Sequence, residues 1–131
     1  MAEVFDKQWY VLGEQVQAFE MEYSAFSQVG HTVGVGNGLE ALTLALRGLG
    51  IGPGDEVLVP SNTYIATWLA VSHVGAVPVP VEPDPATSNL DPARLAAALT
   101  PRTRAVLPVH LYAQPCRMLE ILAFASQHNH W

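Results

Sequence analysis

The chain has 131 residues, half of them apolar, with six Lys and Arg against twelve Asp and Glu and a formal net charge of −6. That length holds at most one domain with a single core, and so few, scattered cations argue against nucleic acid or an anionic membrane surface as partner. Every apolar run is broken well short of the ~20 residues a bilayer span needs, no basic segment leads into an apolar one at the N-terminus, and the single Cys116 allows no internal disulfide. The expected location is therefore the cytoplasm.

Residues 1–13 read as an N-terminal arm, in which Trp9 and Tyr10 are large groups that call for something to pack on. From Glu14 to Phe26, Val16, Phe19, Tyr23 and Phe26 recur three or four apart, which predicts a helix with one apolar face. Gly30 ends it, and residues 31–35 are expected to form a short strand. Asn37 then stands at an N-cap position with Glu40 three residues on, opening a helix whose expected buried face is Leu39, Leu42, Ala45, Leu46 and Leu49.

Past the glycine-rich stretch at 50–54, Val57 to Val59 predicts a strand covered on both faces, and Ile65 to Val74 a helix stopped by Gly75. Residues 76–81 alternate β-branched residues with prolines, which suits only an edge strand or one whose Pro78 and Pro80 need no N–H. Asp91 with Pro92 opens a short helix that stops at Thr100-Pro101. Arg104 to Val109 is the next strand, and Met118 to Gln127 the last helix. Strands and helices in alternation define an α/β fold with a mainly parallel sheet. Ligands collect at the carboxyl ends of such strands, so residues 36–39, 62–64 and 110–114 are expected on one rim.

The segment Val33 to Leu42, with Gly34, Gly36 and Gly38, reads as an anion cradle: glycines admit a close approach, and the helix that follows turns its free N–H groups and positive dipole end toward the ligand. A plain strand-to-helix turn would use the same residues. The spacing is wrong for the Gly-x-Gly-x-x-Gly of dinucleotide-binding folds, and neither Ser61 nor Ser72 sits in a Gly-x-Ser-x-Gly context. A metal set of His110, His128 and His130 is the further alternative, weakened because His128 and His130 sit at the chain's end with no acidic or cysteine companion, and no metal ligand is assigned.

Gly36-Asn-Gly-Leu-Glu-Ala-Leu42, Leu49-Gly-Ile-Gly-Pro-Gly-Asp-Glu-Val57, Val59-Pro-Ser-Asn-Thr-Tyr64, Leu90-Asp-Pro92, Thr100-Pro-Arg-Thr103 and Leu107-Pro-Val-His-Leu-Tyr112, in that order, resemble the N-terminal part of the DegT/StrS aminotransferases. These are pyridoxal-phosphate (PLP) enzymes of aspartate-aminotransferase-like fold (fold type I) that mostly aminate nucleotide-linked keto-sugars. The resemblance implies a partial PLP-binding large domain over residues 14–131. It implies that Asn37, Gly38 and Leu39 form the turn that takes the cofactor phosphate on backbone N–H groups, and that Tyr64 stacks on the pyridine ring. It further implies a keto-sugar nucleotide and an amino donor such as glutamate as substrates, and a homodimer in full-length members. Leu39 stands where many members have threonine, which removes one hydrogen bond to phosphate but not the backbone ones.

The resemblance also implies two groups with no match here, a lysine that links to the cofactor and an aspartate on its ring nitrogen. The one lysine, Lys7, matches nothing catalytic, and Ala113 stands where the family has glycine. The expectation is a chain truncated before the catalytic lysine and inactive as it stands, with no catalytic residue assigned. A non-catalytic PLP- or nucleotide-binding relative and an inert structural fragment are the alternatives. A parallel sheet without its further strands would leave an edge such as 104–109 uncovered.

Overall fold

The structure, a computed structural model, describes residues 2–128; His130 and Trp131 lie outside them. The chain divides into two compact units, Met1–Gly36 and Asn37–Trp131. In the first, α1 (Ala2–Lys7) precedes α2 (Glu14–Ser27). The apolar stripe of α2 lies on one face as expected, since Phe19 stacks on Tyr23 with centroids 5.6 Å apart and Tyr23 meets Phe26 at 6.2 Å. None of it is buried, however, and Phe26 is 83% exposed.

The strand expected over residues 31–35 does not form. A strand needs a neighbour to pair its N–H and C=O groups, and no ladder forms here among the described residues; the segment is tied to α2 instead, where Gly34 N–H donates to Glu20 Oε1 at 2.7 Å and the Ser24 hydroxyl donates to that of Thr32 at 2.8 Å.

The second unit alternates α3 (Gly38–Gly48), β1 (Glu56–Pro60), α4 (Ile65–His73), β2 (Val77–Val81), α5 (Leu95–Ala98), β3 (Thr103–Val106) and α6 (Met118–Gln127). Its three strands form a parallel sheet in the order β2-β1-β3. Central β1 is buried at every position because its side chains alternate between two cores. Val57 and Val59 join Leu46, Ile51, Ala70, Val71 and Val74 on the α3/α4 face, and Leu58 joins Leu90, Leu95, Val106 and Ile121 on the α5/α6 face.

β2 is an edge strand, and its prolines show why. Val77 N–H donates to Asp55 O and Val81 O accepts from Ser61 N–H, so the odd residues face β1. Pro78 and Pro80 therefore stand where an N–H would point off the sheet. Gly75, at φ +81°, cannot be replaced freely, because an added Cβ would lie 2.9 Å from Pro53 Cγ.

Two expectations are narrowed. Of the expected α3 face only Leu46 is buried, Leu39 and Leu42 are half-buried, and Ala45 and Leu49 are exposed. β3 begins at Thr103 and ends at Val106, because Leu107 N–H makes the last bond to β1, at Leu58 O, before the chain leaves the sheet.

At the amino end of the sheet, Glu56 is buried and tied to its neighbours. Thr100 Oγ1 donates to its Oε2, and Arg102 donates to Oε1 from Nε at 2.9 Å and from Nη2. The bond from Thr100, opposed by burial and reinforced by Arg102, holds the Glu56 carboxyl below the ordinary value.

Candidate functional site

α3 leads into β1 and α4 follows β1, so both helices run against the strands and start at the carboxyl edge of the sheet. The start of α3 is capped as its sequence predicts: Asn37 is extended, and its Oδ1 accepts from Glu40 N–H at 2.9 Å. Intrahelical bonding begins with Ala41 N–H to Asn37 O. The N–H groups of Gly38 and Leu39 thus have no acceptor among the described residues, as the geometry of a helix start requires. A Cβ built on Gly38 would meet nothing within 4 Å, so a side chain would be tolerated there.

None of Gly34, Gly36 and Gly38 has a positive φ. The motif is therefore not a left-handed turn, and of its glycines Gly38 carries the open amide while Gly34 donates to Glu20. Leu39 packs against the core beneath α3, which leaves its amide rather than its side chain for a ligand.

Tyr64 stands at the N-cap of α4 with its side chain 76% exposed. The loop that carries it is fixed from below. Trp68 Nε1 donates to Pro60 O at 3.3 Å, Thr63 and Thr67 share a hydroxyl bond of 2.9 Å, and Asn62 Nδ2 donates to Ser88 O at 2.9 Å. An exposed ring on a rigid strand-end loop is available for stacking on a flat ligand. Two backbone donors at a helix start and an exposed aromatic ring thus lie at the same edge of one sheet.

The third rim segment, 110–114, is not a plain loop but a tight turn over Leu111–Ala113, closed by Gln114 N–H donating to Leu111 O at 3.0 Å. His110 Nδ1 accepts from Cys116 N–H at 3.0 Å, and Cys116 Sγ donates to Val109 O at 3.1 Å, so both residues tie the loop together. Burial pushes the Cys116 thiol above its ordinary value, which keeps it a donor and a poor nucleophile. No group of three His, Cys, Asp or Glu able to hold a metal occurs among the described residues.

Tyr112 and Ala113 have φ +54° and +59°, the left-handed region. That conformation costs a residue with a Cβ about 1–2 kcal/mol, and glycine would return part of the gain as lost chain freedom. Ala113→Gly is therefore expected to stabilise the chain by about 0.5–1 kcal/mol, read as a higher urea midpoint. An unchanged or lower midpoint would show that the loop carries no such strain.

The sequence profile of the DegT/DnrJ/EryC1/StrS aminotransferase family matches residues 1–131, and the chain belongs to that family. It is 56% identical over 129 residues to the dTDP-3-amino-3,4,6-trideoxy-alpha-D-glucose transaminase of Streptomyces venezuelae, covering 98% of this chain and 34% of that protein. It is 48% identical over 129 residues to the dTDP-3-amino-3,6-dideoxy-alpha-D-galactopyranose transaminase of Aneurinibacillus thermoaerophilus, covering 98% of this chain and 36% of that protein. Among solved structures, S. venezuelae DesV superposes with a TM-score of 0.94 at 55% identity, over 98% of this chain and 35% of its own. NtdA of Bacillus subtilis, with bound cofactor PMP, superposes with a TM-score of 0.96 at 33% identity, over 98% of this chain and 30% of its own. The chain thus spans about a third of the length of the relatives it matches. The fold is that of the PLP-dependent aminotransferases, as the motifs implied.

Asn89 was not singled out by the sequence, where it closes a proline-rich loop with no distinguishing neighbour. It is 3% exposed, and its side chain grips the backbone on both sides of Tyr112.

Proposed function

We propose that this chain supplies the phosphate-binding and ring-stacking side of a PLP site, in an aminotransferase that moves an amino group from glutamate or a similar donor to a nucleotide-linked keto-sugar. The observation that carries it is the pair of N–H groups on Gly38 and Leu39 that have no acceptor among the described residues, at the same sheet edge as the exposed ring of Tyr64. The relatives, a dTDP-3-amino-3,4,6-trideoxy-alpha-D-glucose transaminase and a dTDP-3-amino-3,6-dideoxy-alpha-D-galactopyranose transaminase, favour this substrate class, and the PMP bound in NtdA favours the cofactor.

When bound, the cofactor supplies an electron sink for amino transfer. This chain's part is to hold and orient it. Asn37 fixes the start of α3 by taking the Glu40 amide, so that the Gly38 and Leu39 amides and the helix dipole stay aimed at the phosphate. Tyr64 covers one face of the ring and keeps water off it. Lys7 is ion-paired with Glu14 at 2.6 Å and is assigned no role in this site, and no residue of the chain is assigned to the proton transfers. The net charge, the single cysteine and the absence of a long apolar helix among the described residues favour cytoplasmic work, and the exposed face of α2 favours a homodimer in the full-length protein.

Titrating the 131-residue chain with PLP and with pyridoxal, which lacks the phosphate, tests this. PLP is expected to bind at least about tenfold more tightly, the worth of one hydrogen bond to a charged acceptor. Equal affinities would remove the phosphate site.

A further inference from the structure

Three hydrogen bonds join the loop after β1 to the loop after β3, through the turn that ends in Asn89. Asn62 Nδ2 donates to Ser88 O at 2.9 Å. Asn89 Oδ1 accepts from Leu111 N–H at 2.9 Å, and Asn89 Nδ2 donates to Gln114 O at 2.8 Å. With Asn89 only 3% exposed, both ends of its amide are satisfied where water is excluded. The residues gripped lie on either side of Tyr112 and Ala113, whose left-handed backbone is unfavourable for side chains with a Cβ.

Core packing does not account for this conformation, because the Tyr112 side chain is 84% exposed. The result is an aromatic ring held out at the carboxyl edge, on the strand next to the one that leads to Tyr64. Strain kept in place by a buried polar clamp, with no gain in burial, is the pattern of a residue presented to a ligand.

We propose that Tyr112 is a specificity-determining contact for the sugar of the nucleotide-linked substrate, and that Asn89 is the residue that positions it. This rests on the reading that the same edge holds PLP. If Tyr64 faces the cofactor ring, the neighbouring loop faces what reacts with that ring, and the reacting carbon belongs to the sugar rather than to the nucleotide. A phenol suits a pyranose: the ring packs on its C–H face, and the O–H pairs with a hydroxyl.

The test uses the chain saturated with PLP, titrated with thymidine diphosphate glucose and with thymidine diphosphate. The wild-type chain is expected to prefer the sugar nucleotide, and Tyr112→Ala to remove about tenfold of that preference with PLP affinity unchanged. Asn89→Asp keeps the size and the acceptor but loses the bond to Gln114, and is expected to lower the same preference. The double variant should fall no further than Tyr112→Ala alone. A merely structural Asn89 would change the melting temperature but not the sugar preference in the folded range. A preference untouched by Tyr112→Ala, or no preference in the wild type, overturns the proposal. Failure of PLP itself to bind overturns the cofactor reading and takes this proposal with it.

Discussion

Replacing Gly38 by proline is expected to weaken PLP binding by about ten- to a hundredfold while leaving α3 folded. Proline removes the N–H of residue 38 and nothing else that the helix needs. Gly38 is the first residue of α3, where an N–H has no intrahelical partner and where proline is favoured. The residue before it must be extended, and Asn37 already is, at φ −164° and ψ 172°. The Cβ of the added ring meets nothing within 4 Å. A hydrogen bond to a charged acceptor is worth about 1.5–3 kcal/mol, which sets the size of the loss. Circular dichroism with a PLP titration checks both halves. Unchanged affinity in a folded variant would mean that the phosphate does not sit on this amide.

The second large effect is on stability and lies at the other end of the sheet. Arg102→Ala is expected to cost about 2 kcal/mol near neutral pH, because it strips two charge-assisted donors from a carboxylate that stays buried. The figure is held toward the low end because the Arg102 side chain is itself 66% exposed.

The pH dependence has a definite sign. The folded Glu56 carboxyl lies below its ordinary value of 4.5, so its contribution is present above that value and is lost as pH falls through the lower, folded one. The gap in urea midpoint between wild type and Arg102→Ala should therefore hold from neutral pH down to about pH 4.5 and close below it. A gap that widened in acid would mean that Arg102 acts through something other than the Glu56 charge.

Features governed by local chemistry were legible in the sequence. Asn37 was readable as a cap because the side chain, the helix start and Glu40 are neighbours in the chain. β2 was readable as an edge because Pro78 and Pro80 lack the N–H that an inner strand needs. Features that depend on distant partners were not. Residues 31–35 have the composition of a strand but no ladder among the described residues, and side chains of α2 tie the segment instead. The clamp of Asn89 on Leu111 and Gln114 spans more than twenty residues, and Thr100 and Arg102 reach Glu56 across more than forty. No periodicity announces such pairs. The candidate site was half legible for the same reason. Gly38 and Leu39 are marked by the helix start they belong to, whereas the setting of Tyr112 follows only from the fold.

Binding of the PLP phosphate by the Gly38 and Leu39 amides is open to amide-resolved nuclear magnetic resonance of the 131-residue chain. On addition of PLP the Gly38 and Leu39 N–H signals are expected to shift together and saturably, with Tyr64 ring signals moving upfield under the pyridine ring and pyridoxal leaving the two amides in place. PLP binding that moved neither amide would contradict the account.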